Sequence, residues 1–269
     1  MMEPFSLTRG ESCLVLAMPH TGTWLPAEVL DALNDRGRQL ADTDWHLDRL
    51  YADLAPGASV VRANFHRYVI DANRDPDGTS LYPGQNTTAL CPVTDFDGCP
   101  IYETGREPDA AEIERRRLAC HAPYHAALAA ELERVRAKHG VVVLYDCHSI
   151  RSLIPYLFEG VLPDFNIGTD DGVTCAPALE RSVVDICGNA QGYSSVLNGR
   201  FRGGWTTRHY ARPDRGIHTI QMELAQSTHL EAEAMPFAYS PARAARLRPH
   251  LKSILETLVA RARALETEA

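Results

Sequence analysis

The nine residues Val141–Ser149, VVVLYDCHS, constrain the fold of this chain more than any other stretch. Five apolar residues read as a buried strand, and the run then stops on an acid, a thiol, an imidazole and a hydroxyl. It follows directly on the clearest helical pattern in the sequence, Pro108 to His139. That pattern places apolar residues at 113, 118, 122, 126, 129, 132 and 135, and it ends at Gly140, the usual residue just past a helix. A helix running straight into a buried strand is the repeating unit of α/β proteins.

The rest of the chain continues the pattern. Cys13 to His20 reads as a short buried strand, and residues 21–37 as a turn and a helix. In Asp42–Leu54, apolar residues at 47, 50, 51 and 54 have helical spacing, with Asp42, Thr43 or Asp44 as N-cap. Residues 58–75 read as two strands with a bend, and 75–106 as a long Pro-, Gly-, Thr- and Asp-rich loop, a length often associated with a lid. Residues 176–190 read as a helix, 193–216 as strand and loop, 217–226 as an alternating strand, and 240–266 as a closing helix with a basic stripe. This order predicts one α/β domain over residues 1–269, with a mixed, mostly parallel sheet and helices on both faces. In such sheets, sites gather at the carboxyl ends of the strands. His20, Asp71–Arg74, Asp146–Ser149 and Glu223 all fall at or near such ends.

Composition narrows the function. A formal net charge of -8 argues against general nucleic-acid binding, although a local arginine cluster can still hold a small anion. The N-terminus has no signal-peptide pattern, and no apolar run has the roughly 18 residues that span a membrane. Seven scattered cysteines without a C-x-x-C pair argue against a disulfide framework and for a reducing cytoplasm.

His20 and His148 each follow an apolar strand. Alone, either could simply cap a strand end; together with a carboxylate they form a common catalytic zinc set. The carboxylate candidates are Asp42, Asp44 and Asp48, with Asp44 and Asp48 placed to share a helix face; His46 is a weaker candidate ligand. Asp146 points the same way as His148 on an extended chain, so it could orient the imidazole, ligate, or merely shape a turn. Cys147 points the other way and reads as a small core residue rather than a nucleophile, and Ser149 lacks a G-x-S-x-G elbow. Gln221 and Glu223 share the face opposite Ile220, Met222 and Leu224. Glu223 reads either as a solvent-facing or salt-bridged residue or as a general base. Arg67, Arg74, Arg200, Arg202 and Arg208 cluster in two stretches, and Gly203-Gly204 would let backbone approach a ligand.

The stretches MPHTGTWLP, DTDWHLDRLY, RYVIDANRD, PYHAALAAEL, VVVLYDCHSIRS and NGRFRGGWTTRHYARPDRGIHTIQMELAQ, with the closing helix, resemble the N-formylglutamate amidohydrolase (N-formylglutamate deformylase) family, in order over nearly the whole chain. Thr21 stands where serine is expected. The resemblance implies a zinc-carboxypeptidase-like (phosphorylase/hydrolase-like) α/β fold with one divalent metal ion, zinc, and hydrolysis of N-formyl-L-glutamate to formate and L-glutamate in histidine degradation. It implies His20, His148 and one of Asp44 or Asp48 as metal ligands, with Asp44 favoured. Glu223 is then similar to the general base. Asn73 and Arg74, with Arg202 and Arg208, resemble a clamp for a small anionic substrate. Another N-acyl amino acid or peptide as substrate, or a non-catalytic ligand-binding role, stands as the alternative.

Overall fold

The structure is a computed structural model that describes residues 2–79, 84 and 86–268. Its strands are β1 (Phe5–Thr8), β2 (Leu14–Met18), β3 (Ser59–Ala63), β4 (Val142–Ile150), β5 (Phe165–Gly168), β6 (Ser195–Leu197) and β7 (Ile217–Ala225). Among the described residues they form one sheet in the order β1-β3-β2-β4-β7-β5-β6. The pairs β2·β3, β2·β4, β4·β7 and β5·β6 are parallel, whereas β1·β3 and β5·β7 are antiparallel. The sheet is therefore mixed and mostly parallel, as its apolar runs predict.

Both sheet faces are covered, which is why β4 reads as an unbroken apolar run. On one face, Val143, Tyr145 and Cys147 of β4 join Ile220, Met222 and Leu224 of β7 in a core closed by helices α2 (Leu47–Tyr51), α5 (Pro177–Gly188) and α7 (Pro241–Glu268). On the other, Val15, Ala17, Val142 and Leu144 meet Tyr124, Leu128, Leu132 and Val135 of α4 (Ala122–His139). The remaining helices are α1 (Ala27–Ala32), α3 (Ala110–Arg116) and α6 (Trp205–Tyr210). No helix among the described residues is long and apolar enough to cross a membrane.

Local structure departs from the sequence pattern in four places. The helix expected from Asp42 begins only at Leu47, because His46 adopts a left-handed backbone (φ 61°) that breaks the turn before it; neither Asp42, Thr43 nor Asp44 caps it. Residues 58–75 hold one strand, β3, rather than two; after it the chain turns, and Asp71–Arg74 lie in irregular backbone. The helix expected over 108–139 is interrupted by a π turn at Arg117–His121, a wider winding that hydrophobic spacing does not encode. The short helix α6 lies where strand and loop were expected, since six residues offer too few turns for a periodic signal. At the end of α4, Gly140 takes the left-handed cap (φ 68°) that turns the chain into β4.

Candidate functional site

Strand register assembles the centre of the site. On β4, Asp146 and His148 share a face, and Cys147 points to the opposite core. On β7, Gln221 and Glu223 do the same, and the parallel pairing sets His148 level with Glu223. His20 arrives from the end of neighbouring β2. Asp44 comes from the irregular turn before α2, held by its own N–H donating to the His20 carbonyl (3.0 Å). One ligand atom each from His20, Asp44 and His148 lies within 4.8 Å of the others, and all three residues are buried. The Asp44 Oδ2 atom sits 3.7 Å from His20 Nδ1 and 3.3 Å from His148 Nδ1.

The structure separates the two aspartates that sequence left open. Asp48 is on α2 with its side chain 47% exposed, paired with Arg62 at 2.7 Å. The two do not share a helix face, because Asp44 precedes the helix. Asp42 is buried elsewhere, accepting from the Tyr68 hydroxyl (2.8 Å) and the Phe96 amide (3.0 Å). His46 is also outside the cluster, with its Nε2 on the Phe237 carbonyl (2.9 Å).

Each cluster imidazole has an acid on its far side. His20 Nε2 is 2.7 Å from Asp71 Oδ1, and His148 Nε2 is 3.1 Å from Asp146 Oδ1. At His20 this hydrogen bond fixes the ring and aims Nδ1 inward, whereas at His148 the acid is an ion-pair neighbour. Asp71 is itself held by Arg67 at 2.5 Å, and the Asp146 Oδ2 atom accepts from the Thr207 hydroxyl at 3.0 Å. The inner nitrogen, His20 Nδ1, is buried with no hydrogen-bond partner. A buried, orphaned imidazole nitrogen facing a carboxylate and a second imidazole fits a cation ligand set.

The electrostatics point the same way. Burial pushes the Asp44 carboxyl up, but the neighbouring imidazoles of His148 and His20 outweigh it and hold Asp44 ionised well below the usual carboxylate range. Burial disfavours a charged His148, yet Asp146, Asp44 and Glu223 together raise it well above an ordinary imidazole. Burial raises Glu223, partly opposed by His148 and reinforced by Asp44. Asp44 with the two imidazoles forms a donor set of the kind that holds a divalent cation.

A cavity opens over this cluster. Its lining includes His20, Asp44, His148, Gln221 and Glu223, together with Arg67, Asn73, Arg74 and Arg200. Glu223 is buried at the cavity, which rules out the solvent-facing reading. Asn73 reaches His148 Nε2 with its amide nitrogen (3.2 Å) and accepts from the Thr206 amide (2.8 Å). Arg74 donates through Nε to the Thr88 carbonyl (2.9 Å) and through Nη2 to the Thr88 hydroxyl (2.9 Å). Arg202 and Arg208 do not line this cavity: Arg202 pairs with Asp171, and Arg208 with Asp170 at 3.2 Å. Arg67 and Arg200 take their place. All five arginines were legible as a cluster, but only the chain path decides which reach the cavity. Of the expected lid, residues 80–83 and 85 lie outside the described residues, while Asn86, Thr87, Thr88 and Phe96 line the cavity. Cys147 is buried with its thiol pushed well above its ordinary range by burial, the opposite of an activated nucleophile. The Ser149 amide donates to Asp44 Oδ2 (3.2 Å), a role for its backbone rather than its hydroxyl.

The model of the family described as N-formylglutamate amidohydrolase matches residues 12–230. The chain belongs to the N-formylglutamate amidohydrolase family. The chain is 47% identical over 262 residues to the N-formylglutamate deformylase of Pseudomonas aeruginosa, covering 97% of each chain. It is 46% identical to that of Pseudomonas putida, again covering 97% of each. Among solved structures, it matches the N-formylglutamate amidohydrolase of Ralstonia eutropha JMP134 with a TM-score of 0.81 and 27% identity, over 98% of this chain and 99% of that one. A gene product of Agrobacterium tumefaciens shares the fold at a TM-score of 0.72 and 18% identity, over 97% and 96% of the two chains. Both solved structures thus share the α/β architecture of this chain.

Proposed function

We propose that this protein hydrolyses N-formyl-L-glutamate to formate and L-glutamate, using one zinc ion held by His20, Asp44 and His148. The carrying observation is the buried His-Asp-His cluster with its orphaned His20 Nδ1, set beside Glu223 in a cavity lined by arginines. The relatives named above, close to half identical over nearly their whole length, support the substrate. When bound, the ion would supply Lewis acidity, polarising the formyl carbonyl and bringing the pKa of water to about 7.

The chain's own residues do the rest. Glu223, as carboxylate, takes a proton from the attacking water and then delivers it to the nitrogen as the C–N bond breaks. Burial keeps this carboxyl easy to protonate, which suits a group that must both accept and give a proton. Arg74, with Arg67 and Arg200 and the amide of Asn73, offers planar donors to a dianionic substrate in a protein that is acidic overall. Arg67 and Arg74 both lie beside Asp71, at 2.5 and 3.7 Å. The site works in the cytoplasm, where a reducing environment suits cysteines that are not joined in pairs.

The test is formate release from N-formyl-L-glutamate by protein of known zinc content, against a panel that includes N-formyl derivatives of neutral amino acids. Turnover that needs the metal and prefers the acidic substrate is the expected result. Full turnover by metal-free protein would sink the metal reading, and a preference for neutral substrates would sink the clamp.

A further inference from the structure

Glu223 needs more than a place beside the metal cluster. A carboxylate that shuttles a proton must present one oxygen to the reacting atoms while the other is held. Among the described residues, one side chain hydrogen-bonds its carboxylate: Gln221, two positions earlier on the same face of β7, with Nε2 3.3 Å from Glu223 Oε2. Gln221 is itself fixed. Its Oε1 atom accepts from the Gly204 amide at 2.6 Å. A backbone N–H can only donate, so the amide oxygen must face Gly204 and the amide nitrogen must face Glu223. The side chain has no second orientation that satisfies both neighbours.

The anchor is not an ordinary loop residue. A Cβ on Gly204 would lie 2.3 Å from Asn73 Nδ2, so this backbone packs directly on the Asn73 amide. Two residues on, the Thr206 amide donates to Asn73 Oδ1 at 2.8 Å. One turn therefore holds both Gln221, which reaches the base, and Asn73, which reaches His148. Gln221 is buried, lines the cavity and is not one of the clustered metal-ligand candidates.

We propose that Gln221 is the positioning residue of Glu223, its amide locked by the Gly204 N–H so that Glu223 Oε2 is held and Oε1 is presented to water and to the leaving amine. This rests on the deformylase reading of the same site. Gln221→Met keeps the side-chain volume and removes both hydrogen bonds. It should lower kcat about 10- to 100-fold, the usual cost of losing such an outer partner, with KM changed less than about 2-fold and zinc content unchanged. In a Glu223→Gln background the same substitution should cost less than about 3-fold, because the residue acts through Glu223. Gln221→Glu is the second variant. It keeps an acceptor for Gly204 but loses the donor toward Glu223, and should cost at least as much as Gln221→Met, so the test survives if Gln221→Met fails to fold.

Equal losses in both backgrounds would assign Gln221 a merely structural role and overturn the proposal. Normal kcat in a folded Gln221→Met, or in Gln221→Glu, would overturn it too. Absence of formate release by the zinc-loaded wild type would instead bring down the deformylase reading and this inference with it. Wild-type turnover with indifferent Gln221 variants removes this inference alone.

Discussion

The cavity has two walls built in different ways. One wall stands mainly on strands: His148 lies on β4, and Gln221 and Glu223 on β7, held by a continuous parallel ladder, with His20 in the turn just past the end of β2. The other wall is irregular backbone: Asn73 meets His148 and the Thr206 amide, while Arg74 and Arg200 are tied largely through carbonyls. Arg200, for example, donates to the carbonyls of Leu157 (3.0 Å) and Asn86 (3.1 Å). Asp44 joins the strand wall from a second turn, held by the His20 carbonyl. Strand register cannot slip without turning every buried side chain outward, so it fixes reacting groups rigidly. Loops tied by side chains can adapt to a substrate and vary its identity. The difference teaches that chemistry and recognition should separate in kinetics.

The largest expected effect breaks the strand wall alone. Glu223→Gln should lower kcat by about 10²- to 10⁴-fold, the range for a lost general acid-base, while zinc stays bound by elemental analysis. The loop wall should respond differently. Arg74→Met should raise KM for the acidic substrate about 10- to 100-fold, from the loss of a charge-assisted pair of roughly 1.5–3 kcal/mol, with a much smaller fall in kcat. Comparable losses of kcat in both variants would erase the distinction between the walls.

Metal removal sharpens the same contrast through stability. With zinc at about 100 times its Kd, binding adds about 2.7 kcal/mol, so chelation should lower Tm by roughly 5–10 °C in a chain of this size. Arg74→Met should leave that difference unchanged, because Arg74 is not a ligand. A separate, pH-dependent effect concerns the support behind the loop wall. His125 Nε2 donates to the Ala72 carbonyl at 2.8 Å, and burial lowers its pKa to about 3, so the ring stays neutral in the fold. In the unfolded chain it titrates near 6.5. The unfolded state then binds more protons, and this contribution to stability is complete above about pH 6.5 and lost as pH falls toward about 3. Stability read from urea melts should therefore fall more steeply from pH 7 to 4 in the wild type than in His125→Gln, and identical pH dependences would contradict the assignment.

Much of this site is legible before folding is considered. Asp146 and His148 share a parity, as do Gln221 and Glu223, so alternation alone aims them at a common side once β4 and β7 are adjacent. Cys147 is excluded from the chemistry by the same alternation, and its burial in the core agrees. Between the two candidate carboxylates the sequence reading favours Asp44 but leaves Asp48 open, because helical spacing carries both onto one continuous helix. A single left-handed residue, His46, ends that continuity, and no hydrophobic period reports it. The arginines failed for a related reason. Arg200, Arg202 and Arg208 are equivalent in composition, and only the turn through Gly203 and Gly204 sends Arg202 and Arg208 to Asp171 and Asp170.

The sequence by itself determined the α/β class, the strand ends that carry chemistry and the face on which each strand residue lies. These follow from periodicity, a property of neighbours along the chain. Only the tertiary structure decided that Asp44 rather than Asp48 joins the imidazoles, that Arg67 and Arg200 reach the cavity, and that Asp71 backs His20. Those are contacts between segments of irregular backbone. Their geometry is set by hydrogen bonds to distant carbonyls and carboxylates, and no local pattern of residues encodes it.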